Sequence, residues 1–265
     1  MVVGNCQAQF VGHQLQALPL MDRFSVNHHF CDLPDHEIET GKRLISNAEI
    51  VLVQDIRDWE RYPLKDYVQN TAQIIKFPCL RFASLWPFDS LNGPGDPEAL
   101  NRDGPALKFP HLDGALARLR REIPDPELRL ARYAALEMKL MVDPGRLHEF
   151  ELQRLLAMDQ KFQFEIGQFI LDNFRHQRLF YATGHPRGKL FEMLLDRLFR
   201  SLEIKGFVPT GRELDRQLEG IEIPVHPMVG NILGVKWATE RARYLYEGEQ
   251  VTWEIYVRRY IDYYG

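Results

Sequence analysis

The chain opens on a short apolar run, Met1-Val2-Val3, that turns polar at Gly4-Asn5-Cys6-Gln7. An apolar stretch with Gln9, Gln14 and Gln16 interspersed follows and reads as helix. Ala48 to Gln54 has the pattern of a buried strand ending at polar Gln54-Asp55, and Gln73 to Phe77 is a second, stopped by Pro78. With the opening run, this gives at least three short strands separated by helical segments, the pattern of a parallel sheet. Cys6 and Gln54 then both fall at strand carboxyl ends, where open α/β folds bind ligands, and can face one crevice.

Further along, Pro87 to Pro110 reads as a long irregular stretch centred on Asn92-Gly93-Pro94-Gly95-Asp96-Pro97. Its aromatic entry, Phe82 to Phe88, suits either an ordered loop over a site or an aromatic plug on the sheet edge. From Leu112 the pattern becomes helical. Leu116, Leu119 and Ile123 recur at helical spacing before Pro124-Asp125-Pro126, Leu128 to Met141 forms a second helix, and Glu149 to Arg175 a long third one. Leu179 to Ala182 is expected as a strand returning to the sheet, with helices resuming at Pro186 and Pro227. The expected fold class is α/β, with a short parallel sheet and a large, predominantly helical insertion or cap. Residues 1–265 read as a single domain, sheet-rich over about 1–90 and helical over about 111–265.

Composition narrows the partners. Lys+Arg 33 against Asp+Glu 37 leaves a net charge of -4, so no global basic field argues for nucleic acid. The local cluster Arg118, Arg120, Arg121, Arg129 and Arg132 reads as a solvated helix face or an anion-binding one. No apolar run approaches the ~20 residues of a membrane span, and the start lacks the pattern of a secretory signal. Cys6, Cys31 and Cys79, three without paired spacing, support neither a disulfide framework nor a zinc site. A reducing cytoplasm is the expected location.

Two segments carry candidate chemistry. Cys6, at a Gly-assisted strand-to-helix turn, is either a small packed thiol or a nucleophile whose pKa the helix N-terminus lowers. His185-Pro186-Arg187-Gly188-Lys189 precedes an apolar helix. With Pro186 in the first helical position, His185 caps it, and Arg187 and Lys189 put positive charge in the first turn, against the dipole rule. A bound phosphate satisfies both cations and the free N–H groups at once, while solvated cations beside a capping histidine are the alternative. His226-Pro227 repeats the arrangement without cations and reads mainly as structural. His13 lies one to two turns into the first helix, His28 and His29 read as surface residues, and His111, His148 and His176 show no constellation. No metal site is expected.

These pieces in this order resemble the WcbI-type polysaccharide biosynthesis family. The resemblance rests on Gly4-Asn5-Cys6-Gln7-Ala8, Gln54, Trp86-Pro87, Leu179-Phe180 with Thr183-Gly184-His185-Pro186, and His226-Pro227 with Leu233-Gly234 and Trp237. It implies a sheet related to the SGNH hydrolases, bound coenzyme A, and acetyl transfer from acetyl-CoA to a sugar hydroxyl of a capsular or other surface polysaccharide. Gly-Asn-Cys replaces the Gly-Asp-Ser of SGNH enzymes, and no Asp-x-x-His pair is present, since Glu222 stands four positions before His226. The expected roles follow: Cys6 and His185 catalytic, with His226 or His13 as alternative bases. Asn5, Gln7 and Gln54 orient the reactants or stabilise an oxyanion, and Arg187 and Lys189 hold CoA phosphates. Acetyl-CoA and a saccharide acceptor are the expected partners, with a homo-oligomer allowed. A carbohydrate-ester deacetylase and a non-catalytic carbohydrate- or CoA-binding protein are the competing functions.

Overall fold

The computed structural model describes residues 1–17, 28–30, 35–55, 59–89, 109, 111–136, 142–205, 208–218 and 222–265. Strand β1 (Val2–Gly4) is buried at every position and leads into α1 (Cys6–Gln16), whose N-cap Asn5 accepts the Gln7 N–H. Then come β2 (His28–Phe30), α2 (Asp35–Ile45), β3 (Ile50–Gln54) and β4 (Gln73–Phe77). The four strands form one parallel sheet in the order β2-β1-β3-β4, with Val2 opposite both His28 and Leu52, and Gln54 opposite Phe77. The three expected strands are present. His28 and His29 lie in edge strand β2; a three-residue strand at a sheet edge has too short a pattern to declare itself.

The remaining helices and strands correct several sequence expectations. Helices α3 (Gly114–Glu122) and α4 (Pro126–Ala134) are capped by Asp113 and Asp125, and α4 ends before the expected Met141, with 137–141 outside the described residues. The expected long helix is two, α5 (Pro144–Phe162) and α6 (Ile166–Asn173), separated where Gln163 takes a positive φ of 53°. The apolar stripe continues across this break, which is why periodicity read through it. Strand β5 (Phe180–Ala182) does not return to the main sheet but pairs antiparallel with β6 (His185–Pro186). Pro186 is therefore a strand residue, and α7 begins two residues later, at Gly188–Ser201. Helix α8 (Gly211–Gln217) and α9 (Pro227–Leu233) follow, the latter capped by His226 as its His-Pro start predicts. The hairpin β7 (Tyr244–Tyr246) and β8 (Glu249–Val251) leads into α10 (Trp253–Tyr264).

The chain divides into two compact units. Unit 1 comprises Met1–Leu80, Met158–Phe164 and Gly188–Leu214. Its core packs Val3, Val51 and Val53 of the sheet against Ile45, Trp59 and Leu64, and Phe10 of α1 lies 4.5 Å from Phe191 of α7 between ring centroids. Unit 2 comprises Arg81–Ala157, Glu165–Arg187 and Asp215–Gly265. Phe82 packs against Phe174 and Phe180, and Phe109 against Tyr246, Tyr256 and Tyr260. Glu151 is fully buried there, yet it accepts the Ala83 N–H and pairs with Arg154, which keeps its charge compensated. The aromatic entry at Phe82, Trp86 and Phe88 is buried in unit 2, and 90–108 lie outside the described residues. Arg129, expected on a solvated or anion-binding face, is buried and donates to the carbonyls of Ile123 and Pro124.

Candidate active site

At the carboxyl edge of the sheet in unit 1, a chain of amides fixes the first strand-to-helix turn. The Asn5 N–H donates to Gln54 Oε1 at 2.9 Å, so Gln54 must turn its Nε2 toward Gln7 Oε1, 3.3 Å away. The Gln7 oxygen also accepts the Leu80 N–H at 2.9 Å, and its Nε2 donates to the Leu80 carbonyl at 2.7 Å. Each amide orientation thus follows from its neighbour. Gln7 and Gln54 are 2% exposed, so the network satisfies two amides that burial alone would penalise. Asn5 Nδ2 reaches Cys79 Sγ at 3.5 Å. Gly4 is required by packing: a Cβ there would stand 2.6 Å from both Ala8 Cβ and Gln54 Oε1.

Cys6 occupies the first position of α1 and is exposed. The expected lowering of its pKa is overturned. Desolvation by the surrounding atoms pushes the thiol above its usual value, while the Gln7 and Cys6 N–H groups pull it down and lose. Cys6 is therefore a protonated thiol at neutral pH and needs a base to become a nucleophile. His13, in the same helix, is exposed on its surface.

His185 lies in unit 2, in β6 rather than at a helix mouth. Its ring meets that of His111 edge-on, 5.0 Å between centroids, and His111 Nδ1 stands 3.5 Å from Asp89 Oδ2. His185 is exposed to solvent at one side, yet desolvation of its ring by neighbouring atoms, helped by His111 and opposed by Asp89, brings its pKa down to about 4. The imidazole is neutral at physiological pH and carries a free lone pair, the state a general base requires. His111, read from sequence as isolated, is therefore part of a constellation. Tertiary contact alone joins it to Asp89 and His185, across 22 and 74 positions of sequence.

His226 is fully engaged. Its Nδ1 caps α9 by accepting the Met228 N–H at 3.2 Å, and Nε2 lies 3.0 Å from the Tyr133 carbonyl, which makes Nε2 the protonated nitrogen. With both nitrogens engaged and its pKa brought down to about 4 by burial, His226 is a structural histidine. Glu222 does not serve it. That carboxylate pairs with Arg178 and Arg187 and accepts the Leu245 N–H.

The two expected phosphate cations each hold a carboxylate. Arg187 pairs with Glu222 and lies over the Tyr181 ring, 4.2 Å from its centroid, whereas Lys189 of α7 pairs with Glu192 at 2.6 Å. Another cation set was missed. Arg61, Lys76 and Lys161 line a groove of about 390 Å³ beside Gln54 in unit 1, with Asp55 pairing Lys161 at 2.7 Å and Glu60 pairing Lys76 at 3.6 Å. In unit 2 a cavity of about 50 Å³ is bounded by Trp86, His111, Tyr133, His226, Trp253 and Tyr256, among other residues. The i, i+3, i+7 spacing of Trp253, Tyr256 and Tyr260 was the available sequence signal for it. Among the described residues no cluster of three or more His, Cys, Asp or Glu can hold a metal, and no helix is long and apolar enough to cross a membrane.

A short parallel sheet with a cysteine at its first strand-to-helix turn makes this a mixed helix/sheet protein. Residues 1–206 match the family of the polysaccharide biosynthesis enzyme WcbI, and the chain belongs to that family. A solved structure of WcbI, described as a novel polysaccharide biosynthesis enzyme, is similar over 99% of this chain and 88% of that one, with a TM-score of 0.66 and 17% identity. It is described as the native protein without a disulfide bond between coenzyme A and one of its cysteines. No curated protein sequence gives a significant match.

Proposed function

We propose that this protein is an acetyl-CoA-dependent O-acetyltransferase acting on a sugar of a surface polysaccharide or its precursor. The observation that carries the reading is Cys6, exposed at the first position of α1 and framed by the Asn5–Gln54–Gln7–Leu80 network at a sheet edge. The description of the similar WcbI structure, which names coenzyme A and the disulfide to a cysteine that this native form lacks, supports coenzyme A as the cofactor. The strand order β2-β1-β3-β4, with a helix leaving β1 at the reactive residue, supports kinship with the SGNH hydrolases. Cys6 and Cys79, neither of them in a disulfide, suit a reducing cytoplasm.

The groove beside Gln54 fits coenzyme A. Lys76 and Lys161 offer donors to phosphates in exchange for the Glu60 and Asp55 carboxylates they now hold, with Arg61 beside them in the groove and Lys189 as a further candidate. Acetyl-CoA supplies an activated acyl carbonyl. Cys6 gives up its proton to a neutral base and attacks the acetyl carbonyl. The bond to the coenzyme A sulfur breaks and that thiolate leaves with the proton. A sugar hydroxyl then takes the acetyl group as its own proton restores the Cys6 thiol. In direct transfer, Cys6 instead positions the acceptor. In unit 2, His185 is the proposed catalytic histidine, with His111 edge-on to its ring and Asp89 beside His111. The N–H groups of Cys6 and Gln7, which already act on the sulfur, are the donors for an oxyanion. Gln7 and Gln54 act by positioning, because their amides tie β1, β3 and Leu80 together.

Calorimetry with coenzyme A, followed by acetyl transfer to oligosaccharide acceptors with wild type and Cys6→Ser, tests the reading. Binding of coenzyme A is expected in both proteins, with turnover strongly reduced in the variant. Full turnover by folded Cys6→Ser excludes covalent catalysis, and failure of wild type to bind coenzyme A removes the acyltransferase reading.

A further inference from the structure

The cavity of unit 2 has a composition that packing alone does not require. Tyr256 lines it, and the buried Tyr256 hydroxyl has no hydrogen-bond partner. His111 lines it too, with Nδ1 3.5 Å from Asp89 and without a hydrogen bond. A phenylalanine would fill the Tyr256 position without leaving a hydroxyl unsatisfied, so the hydroxyl is kept at a cost that a polar guest removes. The walls are aromatic. Trp86 commits its indole N–H to the Ile223 carbonyl at 3.0 Å and so presents carbon, and Trp253 stacks on Tyr133 at 5.7 Å, 9° from parallel. Flat apolar walls with a few convergent polar groups are the usual make-up of a small-molecule site.

We infer that this cavity receives the hydroxylated edge of one sugar residue, with Trp86 and Trp253 as walls and Tyr256, His111 and Asp89 as hydrogen-bonding partners. A hydroxyl donates and accepts at once, so it can take the Tyr256 proton while donating to His111 or Asp89. An anion would meet the Asp89 and Asp113 carboxylates. A cation finds Asp113 already committed, since it accepts the Leu116 N–H at 2.8 Å and the Tyr133 hydroxyl at 2.5 Å. At about 50 Å³ the cavity holds about three to five waters, each needing roughly 10–15 Å³, or one edge of a pyranose ring, and no whole oligosaccharide. His185 lies edge-on to His111, so a hydroxyl seated here is next to the proposed base. The inference rests on the sugar-acyltransferase reading for its biological role, but the binding it asserts stands independently.

The test titrates the methyl α- and β-glycosides of glucose, galactose and mannose against wild type and Tyr256→Phe, following Trp fluorescence, with a parallel calorimetric titration of coenzyme A. A saturable change with at least one glycoside in wild type, weakened about tenfold or more in Tyr256→Phe while its melting temperature holds or rises, is the expected result. An equal response from both proteins overturns the cavity as the site. No saturable response to any of the six means that the cavity holds ordered water only and overturns the assignment. Loss of coenzyme A binding in wild type with glycoside binding retained overturns the acyltransferase reading and leaves the sugar site standing.

Discussion

The two units handle buried polarity in opposite ways. In unit 1 the Gln7 and Gln54 amides are almost fully buried and answer one another down to Leu80. Among the described residues, the buried side-chain nitrogen and oxygen atoms without a hydrogen bond belong to unit 2, His111 Nδ1, Thr183 Oγ1 and the Tyr256 hydroxyl among them. A satisfied network makes a rigid frame, whereas unsatisfied groups around a cavity are poised for a guest. The sheet edge of unit 1 is therefore where geometry is held, and the aromatic cavity of unit 2 is where a ligand has something to gain.

The largest effect expected of that contrast falls on the histidine of unit 2. His185→Ala should lower kcat by roughly 10²–10⁴-fold, the usual contribution of a general base, while leaving coenzyme A affinity unchanged. In wild type the rate should fall as pH drops through about 4, where His185 takes its proton, and show no step near the ordinary histidine value. A limb near 6.5 would move the base elsewhere.

Affinity for coenzyme A sharpens the assignment within unit 1. Lys76→Ala with Lys161→Ala should weaken calorimetric binding by roughly 1.5–3 kcal/mol per lost charged contact. Arg187→Ala with Lys189→Ala should cost less, because Arg187 serves Glu222 and Tyr181 in the free protein. The reverse ranking would return the phosphates to the segment after His185.

Gly4→Ala attacks the frame itself. Its Cβ meets Ala8 and Gln54 at 2.6 Å, so chemical denaturation should show a loss of about 1–3 kcal/mol from overpacking.

A subtler effect concerns His226, whose folded pKa of about 4 lies below the ordinary 6.5. The unfolded chain takes the proton first, so this contribution is full above pH 6.5 and is lost as pH falls toward 4. At pH 5 the loss is roughly 2 kcal/mol. His226→Asn keeps an acceptor for the α9 N-terminus but cannot titrate, and the stability difference between pH 7 and pH 5 should shrink in it. An unchanged difference would place the acid sensitivity in other groups.

Much of unit 1 was legible in one dimension. Val2-Val3 and Ile50 to Val53 are contiguous apolar runs with polar residues after them, and Ile74 to Phe77 is another, interrupted by Lys76 and stopped by Pro78, so strands and their carboxyl edge can be read without partners. The Gly-Asn-Cys turn was readable too, because a glycine and a capping residue between strand and helix have local causes. The same holds for His226-Pro227, where cap and first helical position are neighbours in sequence.

What sequence could not decide depends on who meets whom in space. The start of α7 at Gly188, against the Pro186 preference, was set by β6 pairing with β5, a contact that no local propensity encodes. The sign of the Cys6 shift was decided by desolvation outweighing two N–H groups, and desolvation is a property of the packed surroundings. Likewise, Asp89, His111 and His185 look unrelated along the chain and become one constellation only when folding brings their elements together. Sequence by itself determined where the backbone turns and which residue types stand at the turns. Only the tertiary structure decided their protonation, their partners and which cations remain for a ligand, because those energies belong to contacts between residues far apart in the chain.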